Sequence, residues 1–470
     1  MELLRISATY TEKTVYNALQ SALTLPALYI VCGNSYTTTV AETERSKNRS
    51  RQGGIRQRLR DRPRLRPKVY GYLTEEKETL RQGFAALFLS STGELIAGIV
   101  LAGISGTLNE LVGLAVLIPA AIGMRGAIFG AMGSRLSTSI QTGLFTLNLR
   151  RGVLAENVQA AAVLSLVSGV FLAVLARVLC GILGVRTELS VVDYIVISTV
   201  GGTFAGVLLL GITVLVARLS VARGWDMDNI AAPMLTAAGD ILTLPSLVLA
   251  TYLIGIPVFS SVLGAALVVA AVAAAYYGLR LSALNLRRIL AESFPILALT
   301  GAVTILVGVA LQNREEQFTT LLALSILLPA FLQEGGALGG ILSSRLSSKV
   351  HLGLIEPRGI PQFAAFRDFT LTYIFAAGVY VFVGGASHLI AVVLFPEGAS
   401  PGFLVMIGVS ALAGLMATTT AVLAAYYGST VSYRLGLDPD TYGIPIITAA
   451  VDLLGFMSLI IALIVFGLAG

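Results

Sequence analysis

The chain has 470 residues, 56% of them hydrophobic and only 12% charged, with a formal net charge of +6. Soluble globular chains hold about a quarter of their residues as Asp, Glu, Lys and Arg, so a water-soluble protein is excluded, and the apolar content excludes intrinsic disorder. Two cysteines (Cys32, Cys180) and two histidines (His351, His388) supply neither a disulfide framework nor a Cys- or His-based zinc centre.

Residues 19–33 carry a short apolar run that contains Pro26 and is too short to span a bilayer comfortably. Residues 45–68 then hold 11 of the 32 basic residues and one acid, Asp61. Such a run cannot pack against itself. It reads as a cytoplasmic anchor beside the membrane, with anionic-lipid or nucleic-acid binding as the sharper alternatives. Its place just ahead of the first long apolar segment favours the anchor, and no nucleic-acid partner is expected. Residues 1–82 are therefore expected to be a basic, poorly ordered cytoplasmic region.

Eleven apolar segments long enough to cross a bilayer follow, near 83–105, 111–133, 155–180, 194–217, 232–254, 259–278, 293–311, 319–342, 368–395, 402–426 and 445–468. With the N-terminus inside, the inner loops carry 13 Lys and Arg and the outer loops only Arg186 and Arg314. That asymmetry places the N-terminus in the cytoplasm and the C-terminus outside the cell membrane.

The chain repeats itself. LIPAAIGMRGAIFGAMGSRLSTSIQTGL at 117–144 matches LLPAFLQEGGALGGILSSRLSSKVHLGL at 327–354, with Pro119 on Pro329, Gly126 on Gly336 and Arg135 on Arg345, at an offset of 210. DMDNIAAPMLTAAGD at 226–240 matches DPDTYGIPIITAAVD at 438–452 at an offset of 212. Each copy has five spans, and the extra span at 259–278 restores the direction of the chain. The expected fold is all-α: two five-helix repeats in the same orientation, at 83–258 and 293–470, joined by a linker helix and loop at 259–292. They would be related by a pseudo-two-fold axis along the membrane normal.

Asp240 and Asp452 are the expensive groups. Each lies within an apolar segment, where an aspartate costs roughly 2.5–3.5 kcal/mol to insert. Asp240 follows Asp228 by 12 residues, about 18 Å of helix, which sets it near mid-membrane. Two carboxylates facing each other across the axis repel unless a cation lies between them or one is protonated. A hydrated divalent ion relieves this most simply, because Mg²⁺ dehydrates reluctantly and accepts outer-shell contacts. Capping of broken helices is the structural alternative for a lone Asp; the symmetric pair favours function.

Asp226, Asp228, Asp438 and Asp440 open the last span of each repeat, where helix capping explains them; attraction of cations to an inner gate is a secondary role for Asp228 and Asp440. Thr236 and Thr448, one turn before the deep aspartates, either bond back to the helix or face the pathway. Gly126 and Gly336, after Pro119 and Pro329, serve either close helix packing or an irregular backbone lining a cavity. Glu94 has no acidic counterpart in the second repeat and is either a second ion or proton site or a group bonded to a neighbour. Arg125 aligns with Gly335, and an Arg125–Glu334 pair across the interface is one reading. Arg135 and Arg345 are explained by topology and snorkelling.

The Pro-x-x-x-Gly-x-x-Gly…SRLS segment and the D-x-D…P…TAAxD segment resemble the membrane domain of MgtE-type magnesium transporters. The duplication resembles the solute-carrier branch of that superfamily. The resemblance covers about 83–468 and implies a pathway between the two halves of one chain, so that the protein works as a monomeric internal pseudo-dimer. It also implies a central magnesium site on Asp240 and Asp452, Mg²⁺ as transported ion and no organic cofactor. Two departures matter. The family's Gly-Asn is Gly126-Ala127 and Gly336-Ala337 here, and the family's cytoplasmic magnesium-sensing modules have no counterpart in residues 1–82.

The expected function is therefore divalent-cation transport, with Mg²⁺ ahead of Ca²⁺, Mn²⁺ and Co²⁺, as a channel or as an exchanger coupled to Na⁺ or H⁺. An intramembrane aspartyl protease also uses two membrane aspartates. Its tyrosine before one aspartate and Gly-x-Gly before the other are not complete here, since Asp452 follows Val451 and Asp240 follows Ala237-Ala238-Gly239. No enzyme activity is expected.

Overall fold

A computed structural model describes residues 77–223, 227–256, 258–281, 284–351, 353–395, 399–435 and 444–468. These residues form helices and connecting turns, with no β-strand among them. The first repeat contains α1 (Lys77–Gly103), the short α2 (Ser105–Glu110), a 3₁₀ turn at Leu114–Val116, α3 (Ile118–Gln141), α4 (Val153–Leu183), α5 (Val191–Val196), which passes through a π-turn at Ile197–Gly201 into α6 (Gly202–Arg223), and α7 (Met227–Thr251). The linker helix α8 (Phe259–Tyr276) follows. The second repeat contains α9 (Leu284–Gln312), the short α10 (Glu315–Thr320), α11 (Leu322–His351), α12 (Phe363–Leu394), α13 (Phe403–Leu435) and α14 (Ile444–Val465).

Eleven helical segments among the described residues are long and apolar enough to cross a membrane, one for each segment expected from the sequence. The chain is an all-α polytopic membrane protein. Several helices run past the apolar windows that announce them. The seventh span begins at Leu286 rather than near 293, because α9 continues through Pro295 and carries Arg287, Arg288 and Glu292 on its polar first turns. The segment 1–76 lies outside the described residues, as do Asp226, Asp438 and Asp440.

Local chemistry sets the helix ends. Gly184, at φ +67°, ends α4 with its amide donating to the Cys180 carbonyl. Ser190 opens α5 with a capping box, its hydroxyl accepting from the Asp193 amide while the Asp193 carboxylate accepts from the Ser190 amide. Gly113 turns the chain between α2 and the 3₁₀ turn at φ +109°, and a side chain there would meet Thr187 Oγ1 and Tyr194 Oη. Tyr194 fixes that turn by donating to the Gly113 carbonyl at 2.9 Å.

The repeats clasp each other. Gly98 of α1 packs on α11, where a Cβ would lie 2.2 Å from the Ile326 carbonyl oxygen; Gly308 of α9 packs on Val116, beside the start of α3, where a Cβ would lie 2.1 Å from the carbonyl oxygen. Both pairs obey the 210-residue offset, 98 with 308 and 116 with 326. The first helix of each repeat therefore packs against the second membrane segment of the other. The short helices α2 and α10, also 210 residues apart, pack on one another. A continuous apolar core runs through both repeats, with a smaller cluster around Leu342, Leu346 and Tyr426 in the second. Helix α8 packs against α4 and α5 and leaves Val262, Val269 and Val272 exposed, as lipid-facing residues are.

Candidate functional site

A cavity of about 310 Å³ opens where the clasp brings α3, α7, α9, α11 and α14 together. Its lining is paired by the repeat: Pro119 with Pro329, Ile118 with Leu328, Ile122 with Leu332, Thr236 with Thr448, and Asp240 with Asp452. Small residues make the approach possible. On α7 the run Ala237-Ala238-Gly239 precedes Asp240; a Cβ at Gly93 of α1 would lie 2.7 Å from that of Ala237, and one at Gly239 would lie 3.9 Å from the Gly126 amide nitrogen.

Asp240 is 3% exposed and its Oδ1 has no hydrogen-bond partner from the protein. Asp452 is half-buried on the other wall, close enough to Asp240 for the like charges to interact. Thr236 and Thr448 line the cavity and are half-buried, one turn of α7 and of α14 before the aspartates. Gly126 lines the cavity too, whereas Gly336 is a packing position: its Cβ would meet the Thr448 methyl at 2.9 Å, against 3.7 Å for Gly126 and the Thr236 methyl. Pro119 stands at the start of α3, while Pro329 sits inside the longer α11. The irregular backbone expected after these prolines is absent: both run on as continuous α-helix, and the 3₁₀ turn at Leu114–Val116 comes before Pro119.

Glu94 is outside the cavity lining. It stands behind Asp240 on α1, fully buried, against the Asp240 carboxyl and within reach of Glu334. Neither of its oxygens has a donor from the protein. Glu334 is also fully buried; it accepts from the Ser91 hydroxyl at 2.7 Å, and its Oε2 is unpartnered. The Arg125–Glu334 pair is not formed: no carboxylate pairs with Arg125. Asp228 lies on the first turn of α7 and Asp440 is outside the described residues.

Sequence reasoning missed Thr304, which lines the cavity. It stands 210 residues after Glu94, so the offset that found the repeat also finds it; the search for an acid at that position passed it over. Arg135 and Arg345 also do more than snorkel. Arg135 Nε donates to Asn157 Oδ1 at 2.7 Å, and Arg345 Nε donates to Asp368 Oδ1 at 3.0 Å, with Lys349 Nζ 2.6 Å from Asp368 Oδ2. Each arginine ties the second span of its repeat to the third.

Among the described residues, no three His, Cys, Asp or Glu side chains converge to ligate one ion directly. Two aspartates, four threonines and Gln333 around a cavity of this size suit an ion that keeps its water shell and is held through those waters.

Comparison with known proteins bears on the same elements. A family model described as MgtE, divalent cation transporter, matches residues 118–250 and 328–462, once on each repeat. Solute carrier family 41 member 2 of Mus musculus is 26% identical over 362 residues, covering 72% of this chain. The match spans 62% of the mouse protein's own length. Solute carrier family 41 member 3 of Rattus norvegicus is 25% identical over 388 residues, covering 78% of this chain and 83% of that one.

Proposed function

The chain belongs to the MgtE family of divalent cation transporters, and from that premise we propose that it carries Mg²⁺ through the cavity between its two repeats. The observation that supports this most is that Asp240 and Asp452, one from each repeat, line the same cavity. Two negative charges at that depth are costly alone and are compensated by a divalent cation passing between them. The ion keeps its inner waters, which donate to the two carboxylates; Thr236 and Thr448 add hydroxyls to that outer shell, and Gly126 keeps the wall free of side chain. Ca²⁺ favours a cage of direct carboxylate and carbonyl oxygens, whereas Mg²⁺ dehydrates reluctantly; no three carboxylates converge among the described residues, which sets Mg²⁺ ahead of it. Glu94, behind Asp240, adds a further carboxyl to that side of the pathway. Asp228, on the first turn of α7, belongs to the approach, and Asp440 is its counterpart by the sequence repeat.

The protein lies in the cell membrane with its N-terminus in the cytoplasm, its C-terminus outside and the pseudo-two-fold axis along the membrane normal. One chain supplies both walls and works as a monomer. Coupling to Na⁺ or H⁺ is the companion reading to a channel.

Uptake into proteoliposomes tests all of this. Mg²⁺ flux is expected to fall at least tenfold in Asp240→Asn and in Asp452→Asn. Competition with Ca²⁺, Mn²⁺ and Co²⁺ ranks the ions, and flux with and without a Na⁺ or proton gradient separates exchanger from channel. Unchanged flux in both variants would defeat the site.

A further inference from the structure

Arg125 is 2% exposed, and its Nε and Nη1 have no hydrogen-bond partner from the protein. A buried guanidinium is ordinarily paired, because leaving it unpaired carries the full cost of its desolvation. Arg125 lies on α3, one residue before Gly126 of the cavity wall, but its side chain extends over α6. There a Cβ at Gly202 would fall 1.6 Å from Arg125 Nη2.

Two more partnerless groups lie at the junction where α4 meets the same face of α6, one turn to either side of Gly202. Thr199 Oγ1, on the π-turn just before Gly202, and Ser165 Oγ, on α4, are both buried without a partner. Thr199 Oγ1 lies 3.2 Å from the Cβ position of Gly169 on α4, and Ser165 Oγ lies 3.5 Å from that of Gly206, one turn after Gly202.

The second repeat shows the same junction closed without charge. Ser198 Oγ donates to the Gly169 carbonyl at 2.9 Å and Ser410 Oγ to the Tyr380 carbonyl at 2.7 Å, so Tyr380 occupies the place of Gly169. The Tyr380 ring covers Gly414, within 2.2 Å of its Cβ position, as Arg125 covers Gly202. Gly335 stands where Arg125 would be. One repeat fills the space with a phenol from its third span, the other with a guanidinium from its second.

A cation and two hydroxyls offer donors and no compensating negative charge. The missing partner is a small anion that accepts from all three. We propose that Arg125, with Ser165 and Thr199, binds a chloride ion between α3, α4 and α6. The bound anion neutralises a fixed positive charge beside Gly126 and Gly239, and so removes a repulsive term from the wall that carries Asp240. The anion site itself does not depend on reading the cavity as a cation route.

Equilibrium binding of radiolabelled chloride to the purified full chain tests the site, with unfolding temperature compared in sodium chloride and sodium gluconate at equal ionic strength. The wild type is expected to show one saturable site, displaced by bromide, and a higher unfolding temperature in chloride. Arg125→Met is expected to lose both responses. Arg125→Lys keeps the charge but loses the planar fork, and is expected to bind chloride about tenfold more weakly, the loss of roughly one charge-assisted hydrogen bond. No saturable binding to the wild type, as expected if only water fills the junction, overturns the proposal. So does binding retained by Arg125→Met or, should that variant not fold, undiminished in Arg125→Lys.

Discussion

Replacing Gly98 or Gly308 by alanine tests the clasp between the repeats. A Cβ at Gly98 falls 2.2 Å from the Ile326 carbonyl oxygen and 2.7 Å from its Cα; at Gly308 the corresponding distances to Val116 are 2.1 and 2.9 Å. Carbon and carbonyl oxygen come no closer than about 3.3 Å, so the backbones must separate by roughly 1 Å. Both obstacles are main chain and no rotamer relieves them. A gap of that size forfeits a quarter to a half of the dispersion energy of each contact it opens, and overpacking costs about 1–3 kcal/mol or more. Alanine returns up to about 1 kcal/mol of helix propensity. Each variant is therefore expected to lose about 2 kcal/mol or more, and the two losses should be alike. Gly130→Ala is the control: it has no atom within 4 Å of its Cβ position and is expected to be neutral or stabilised by up to about 1 kcal/mol. Reversible denaturation in mild detergent reads all three. Wild-type stability in Gly98→Ala, or a strong effect in only one of the two clasp variants, would refute the reciprocal geometry.

Other outcomes follow from particular contacts. Asp368 is 1% exposed between Arg345 and Lys349; Asp368→Ala should cost about 3 kcal/mol, the low end for breaking a buried pair, because both cations are partly solvated. Asn157→Ala, in the uncharged equivalent of the first repeat, should cost about 1 kcal/mol, and denaturation of the two variants side by side checks the contrast. Tyr194→Phe leaves the Gly113 carbonyl with only the Val116 amide, at 3.3 Å, and should lower stability by about 1 kcal/mol, read as an earlier unfolding midpoint. Burial pushes the Glu315 carboxyl, on the first residue of α10, above its ordinary value of 4.5. A carboxyl raised in the folded state favours folding below its unfolded value and loses that contribution as pH rises through the folded value. Glu315→Gln should therefore gain stability relative to wild type as pH rises above about 4.5. A difference independent of pH, measured by unfolding midpoints across that range, would show that the shift is absent.

The spans were legible because a bilayer demands about twenty apolar residues in a row. The repeat was legible because Pro, Gly, Arg and Asp recur at fixed spacing against a background of Leu, Ala and Val. Asp240 and Asp452 stood out for the same reason, as charges in apolar runs. The pairing of helices was not legible. Helices apolar all round show no face that names a partner, so nothing in α1 announced that Gly98 meets Ile326 or that Glu94 stands behind Asp240. Arg135 and Arg345 were placed by their shared offset of 210, but their partners Asn157 and Asp368 are 211 residues apart; a one-residue slip and a change of charge hid the match. Arg125 and Tyr380 were hidden more deeply, since equivalent space is filled from different helices in the two repeats.

The crossing of α1 onto the opposite repeat bears on the order of synthesis. Ser91 reaches its carboxylate 243 residues further along the chain. When α1 leaves the ribosome, the surfaces that will cover it have yet to be translated: α7 comes first, against Gly93 and Glu94, and α11 only later. Contacts so distant in sequence form late. Helix α1 is thus secured late, and a nascent chain halted before α11 is left without one of the helices against which α1 finally rests.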